Sequence, residues 1–136
     1  MAQVTNLMTG SPFTVEPSAT LVEAARAMAN EDVGPLPVVQ GDRLVGMVTD
    51  RDLVVRGIAE ERDPTSTTVG DIASSDLVTV TPDTDLQEAL ELMARNQVRR
   101  LPVIENDRLV GIVAQADVAR ALDEERTGEV VQDISR

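Results

Sequence analysis

Leu36-Pro37-Val38-Val39-Gln40-Gly41-Asp42-Arg43-Leu44-Val45-Gly46 returns, lightly altered, as Leu101-Pro102-Val103-Ile104-Glu105-Asn106-Asp107-Arg108-Leu109-Val110-Gly111. The same offset aligns Val4–Leu53 with Val69–Val118 without a gap, and about 20 of those 50 pairs are identical. The chain is therefore two copies of one supersecondary unit. Within each quoted block two β-rich runs flank a Gly-Asp or Asn-Asp pair, which predicts a hairpin. The hairpins are Leu36–Gln40 with Leu44–Thr49, and Leu101–Glu105 with Leu109–Ala114.

Working outward, each copy reads alike. A lead-in, Val4–Met8 or Val69–Ala73, has apolar residues at helical spacing. A short strand follows, Phe13–Val15 or Val78–Val80, stopped by Pro17 or Pro82. Helices are predicted over Thr20–Asn30 and Asp85–Asn96, opened by the capping-box patterns Thr20-x-x-Glu23 and Asp85-x-x-Glu88. Leu86, Ala89, Leu90 and Met93 form a buried stripe, matched by Leu21, Ala24, Ala25 and Met28. The last helix, Asp50–Ile58 or Gln115–Leu122, presents Leu53, Val54 and Ile58, or Val118, Ala119 and Leu122, to the core.

One such β-α-β-β-α unit is too small to cover its own sheet, so two are expected to pack sheet to sheet in an α/β (α+β) fold. The expected organisation is repeat 1 over 4–60, a polar linker over 61–68, repeat 2 over 69–122 and a charged tail over 123–136. That tail either extends the last helix, frays, or meets a second subunit.

Composition removes several function classes. The chain has 136 residues, 24 acidic against 12 basic, and a net charge of −12. All twelve basic residues are arginine, and there is one Phe with no Trp or Tyr. Nucleic acid and anionic membranes are disfavoured as partners by charge, and base stacking by the lack of aromatics. Without Cys there is no disulfide or thiol chemistry. No apolar run approaches a membrane span and no signal-peptide pattern opens the chain, so a cytoplasmic location is expected. Without His, Cys or Lys the commonest general bases and covalent nucleophiles are missing. No Walker loop, Gly-x-Ser-x-Gly or Gly-x-Gly-x-x-Gly occurs, so no catalytic residue and no metal site is assigned.

The chemistry sits just after the first hairpin, in Gly46-Met47-Val48-Thr49-Asp50-Arg51-Asp52. Its counterpart, Gly111-Ile112-Val113-Ala114-Gln115-Ala116-Asp117, keeps the glycine and last aspartate and loses the threonine and arginine. A vicinal diol suits a carboxylate such as Asp52 or Asp117, and a phosphate suits hydroxyl and guanidinium donors such as Thr49 and Arg51. Thr49-x-x-Asp52 is also a capping-box pattern that can start a helix with no ligand.

Together the repeat, the Leu-Pro-Val strands and Gly46-x-x-Thr49-x-x-Asp52 resemble a tandem pair of cystathionine beta-synthase (CBS) domains, a Bateman module. The resemblance covers residues 4–122. It implies a non-enzymatic regulatory or sensor protein, similar to small stress-response members, binding AMP, ADP, ATP or S-adenosylmethionine in clefts between repeats. It implies a homodimer formed through helices, and it leaves room for an unknown regulated protein partner; no cofactor is required. It assigns the diol to Asp52 or Asp117 and phosphate to Thr49 and Arg51. Arg99 or Arg100 would add charge, and Thr14, Val15 and Pro37 would face the base. With Ala114 and Ala116 in the second copy, one good nucleotide site per chain is expected. The alternatives are a ligand-free scaffold or interaction module, and a carboxylate-dependent phosphohydrolase.

Overall fold

Thr20 opens the first long helix as its sequence predicts: its hydroxyl accepts from Glu23 N–H at 3.2 Å while Glu23 Oε1 accepts from Thr20 N–H. This reciprocal pair satisfies two orphan donors of α1 (Leu21–Glu31). Asp32 ends it in the left-handed region at φ 52°. The computed structural model describes residues 2–135, with side chains described through Thr127.

The chain begins with a 3-10 turn, Val4–Asn6, and a two-residue strand, β1 (Thr9–Gly10). After α1 come β2 (Leu36–Gln40) and β3 (Arg43–Val48), an antiparallel hairpin in which Leu36 faces Val48 and Gln40 faces Arg43. A short α-turn, α2 (Asp50–Asp52), continues as a π-helical segment, Leu53–Ile58. The second half repeats the plan with α3 (Val69–Ile72), α4 (Leu86–Asn96), β4 (Arg100–Glu105), β5 (Arg108–Ala114) and α5 (Gln115–Ser135). Asn106 and Asp107 both take positive φ between β4 and β5, the geometry of a two-residue hairpin turn. The Asp71 carboxylate accepts from Thr68 N–H at the start of α3, and that bond holds it below its ordinary value.

The chain divides into two compact units, and neither is a contiguous stretch. One holds residues 1–10, 78–105 and 110–136; the other holds 11–77 and 106–109. In the second of these, Met47 and Ser74 exchange backbone hydrogen bonds at 2.9 Å, so the lead-in at 69–77 closes onto β3. In the first, β1 pairs with β5 through Thr9↔Ile112 and Gly10↔Gly111. Each unit is thus completed by the lead-in that precedes the other repeat. Its core shows the same exchange. Val69 and Ile72 are buried with Val15, Leu21, Leu36, Val38 and Val48. Val4 is buried with Leu86, Met93, Leu101, Val103 and Val113.

Several expectations are corrected. The strands predicted at Phe13–Val15 and Val78–Val80 shrink to single parallel bridges, Val15↔Val38 and Val80↔Val103. Pro17 and Pro82 follow within two residues and have no N–H to lengthen a ladder. Asp85 precedes α4 without a side-chain cap; Leu86 N–H instead donates to Ala2 O at 3.3 Å. In α1 the buried stripe runs through Ala27, and Ala25 is exposed. In α4 Leu90 is half-buried beside buried Leu86, Ala89 and Met93. The largest departure is Leu53–Ile58. In its wider π turns, Leu53 and Gly57 face inward while Val54 and Ile58, expected in the core, are 55% and 66% exposed. The tail runs on as part of α5, and the side chains of 128–136 lie outside the described residues.

Candidate functional site

The turn that ends β3 is built from reciprocal hydrogen bonds. Thr49 adopts extended backbone angles, φ −119° and ψ 164°, as an N-cap must. Its hydroxyl accepts from Asp52 N–H at 3.1 Å, and Asp52 Oδ2 accepts from Thr49 N–H at 2.9 Å. The capping box foreseen as an alternative to a ligand site is therefore formed. It uses only part of each side chain. Among the described residues nothing in the protein donates to Asp52 Oδ1, and the Thr49 hydroxyl hydrogen has no protein acceptor. Both residues are half-buried, while Arg51 between them is exposed and forms no ion pair among the described residues.

Asp50 gives this turn a further bond. Its N–H donates to Gly34 O at 3.2 Å, and its Oδ1 accepts from Arg51 N–H at 3.0 Å. The carboxyl lies over Gly34, where an added Cβ would sit 3.1 Å from Oδ1. Sequence reasoning passed over Asp50 because it fills a variable position of Gly-x-x-Thr-x-x-Asp. Its charge, next to the proposed phosphate donors, was the available signal.

Thr14, Val15 and Pro37 belong to the same compact unit as this turn. Val15 N–H donates to Pro37 O at 3.0 Å, and both residues are buried, whereas Thr14 is half-buried. Thr14 and Val15 also line a groove of about 460 Å³ with Phe13, Glu16, Ala19 and Glu23. Thr49, Arg51 and Asp52 do not line it. Phe13, the one aromatic residue, is 48% exposed there, and its uniqueness in the sequence could have singled it out.

In the second repeat Gln115 N–H donates to Arg99 O at 2.8 Å, the counterpart of the Asp50–Gly34 bond. With Ala114 in place of threonine there is no hydroxyl cap, and Asp117 turns along its own helix to pair with Arg120. Arg99 and Arg100 are exposed and, with Asp117, belong to the other compact unit.

The duplicated hairpin-and-turn carries a family signature, and the CBS domain family profile matches twice, at residues 4–57 and 69–124. The chain belongs to the CBS domain family. Hypoxic response protein 1 of Mycobacterium tuberculosis is 41% identical to this CBS chain over 135 residues, covering 98% of the chain and 94% of the relative. A crystal structure of Hypoxic Response Protein I with two coordinated zinc ions superposes with a TM-score of 0.81 at 42% identity, covering 89% of this chain and 99% of that one. Zinc favours imidazole and thiolate ligands. This CBS chain has neither His nor Cys, and no cluster of three acidic ligands exists among the described residues. The residues present do not fit that metal. A structure of CBSX2 in complex with AMP matches with a TM-score of 0.79 at 27% identity, covering 93% and 99%. No helix among the described residues is long and apolar enough to cross a membrane.

Proposed function

We propose that this CBS pair is a non-enzymatic regulatory protein that binds an adenosine-containing ligand (AMP, ADP, ATP or S-adenosylmethionine) at the Thr49–Asp52 turn. The observation that carries the reading is the half-used carboxylate of Asp52. One oxygen holds the turn together; the other is free to accept from a ribose hydroxyl. The Thr49 hydroxyl and the exposed Arg51 guanidinium of the same turn supply donors for a phosphate. AMP on the related CBSX2 supports the same ligand class. Asp117, tied to Arg120 and lacking a neighbouring threonine, supports one such site per chain. Arg99 and Arg100 remain proposed as accessory charges, and Thr14, Val15 and Pro37 as neighbours of the base.

The complete capping box favours a second reading, a scaffold that no longer binds ligand, because the turn closes without one. Thermal unfolding with the four ligands separates the two. A ligand at a hundred times its Kd should stabilise wild type by about 2.7 kcal/mol, a rise of several degrees for a domain of this size. Asp52→Asn keeps an acceptor for Thr49 N–H, so it should fold and lose most of that rise. An unmoved melting temperature with all four ligands favours the scaffold. An equal rise in the variant moves the site elsewhere.

Regulation also needs a surface that is read. Val54, Val55 and Ile58 are exposed on the π-helical segment, beside an apolar groove of about 300 Å³ lined in part by Leu21, Val22, Ala25 and Leu53. Contiguous apolar surface of this kind marks an interaction site. We assign it to a homodimer formed through helices, with any regulated protein partner reading the assembled pair. In sedimentation velocity the wild type should run as a dimer and Ile58→Glu as a monomer. A monomeric wild type, or a dimeric variant, removes this face from the assembly.

A further inference from the structure

We infer that Asp50 is a specificity residue that turns phosphate-rich nucleotides away, restricting the site to adenosine compounds with at most one phosphate. This rests on the nucleotide reading above and narrows it.

A helix start ordinarily attracts anions because its first N–H groups lack partners. Here they are all engaged. Asp50 N–H donates to Gly34 O, Arg51 N–H to Asp50 Oδ1, Asp52 N–H to Thr49 Oγ1 and Leu53 N–H to Thr49 O. The Asp50 carboxylate is already the anion of this turn. The donors left for a ligand are the Thr49 hydroxyl and the Arg51 guanidinium, enough for one phosphate. Every further phosphate brings negative charge towards Asp50 and finds no backbone donor in the turn.

Gly34 makes the arrangement possible. Its missing side chain leaves the space that the Asp50 carboxyl fills, with Oδ1 only 3.1 Å from where a Cβ would stand. The second repeat has neither half of this pair: Gln115 is neutral at the position of Asp50, and Arg99 stands at that of Gly34. The carboxylate filter thus occurs only in the copy that also keeps the threonine and arginine.

Calorimetric titration of the full chain with adenosine, AMP, ADP and ATP, without divalent cations, tests the assignment. Wild type should bind AMP about five-fold or more tighter than ATP, the scale of one exposed charge near another. Asp50→Asn removes the charge and keeps an Oδ1 acceptor for Arg51 N–H. It should close most of that gap, and Asp50→Ser, a shorter neutral side chain that still carries an acceptor oxygen, should do the same. Glu88→Gln, an equal change in net charge on the exposed face of α4, should leave the gap intact and so separate the local effect from the overall charge of −12. ATP binding to wild type as tightly as AMP would overturn the role of Asp50 and leave the nucleotide site standing. So would a gap unchanged in both Asp50 variants. If none of the four compounds binds, the nucleotide reading itself falls and takes this inference with it.

Discussion

Leu101→Ala should destabilise the protein by about 2–5 kcal/mol, the range for truncating a fully buried leucine. Leu101 has no exposed surface, and Val4, Val80, Leu86, Met93, Val103, Val113 and Val118 share its cluster. Two of these lie on strands and three on long helices, so the surroundings cannot close over the gap without shifting whole elements. With no Trp or Tyr and one exposed Phe, no large aromatic is available to fill it. The loss is a large part of the 5–15 kcal/mol typical of a folded domain. Urea unfolding should show a lower midpoint with an unchanged slope. Leu101→Met, close to volume-conserving, should cost less than about 1.5 kcal/mol. If the alanine variant unfolds at the wild-type midpoint, the packing described around Leu101 is wrong.

Gly46→Val should cost about 3 kcal/mol or more through a different mechanism, a collision with backbone that cannot step aside. A Cβ at Gly46 would lie 3.0 Å from Ser74 O and 3.4 Å from Ala73 Cβ. Ser74 O is the acceptor for Met47 N–H, so relief of the clash opens the bridge between β3 and residues 73–74. Val69 and Ile72, both buried, are on the same short segment and lose their seat with it. Amide exchange at Met47 and Ser74 should accelerate well before that of the β2–β3 pairs. Uniform acceleration across the chain would instead mean global destabilisation, and no change would mean that the close approach at Gly46 is unimportant.

Much of this was legible in the sequence because it is local. Thr20 with Glu23 and Thr49 with Asp52 are each three residues apart, and both capping boxes are formed. The turns between paired strands follow from Gly41, Asn106 and Asp107, residues that accept positive φ. The parts that were not legible depend on partners distant in the chain. Val4 and Val69 occupy the same place in their repeats, and nothing in either lead-in states which core it will enter. Asp85 matches a capping pattern, yet the segment that covers its helix comes from the other end of the sequence. Helical periodicity assumed 3.6 residues per turn across Leu53–Ile58, where the backbone is π-helical, so Val54 and Ile58 were placed on the wrong face. The site divides the same way. Residue types at Thr49, Arg51 and Asp52 suggested diol and phosphate chemistry, but only the hydrogen bonds reveal that Asp50 has taken the first-turn N–H.

The exchanged lead-ins bear on how the chain emerges from the ribosome. Residues 11–60 leave before 69–77 and cannot finish their unit until those follow. Residues 1–10 wait longer still, because their partner strand ends at Ala114. Both cores therefore close late, after long loops have been drawn together, a topology that slows folding. The same interlock outlasts synthesis. A protease that cuts within 61–68 releases two fragments, each still carrying a piece of the unit that the other must complete.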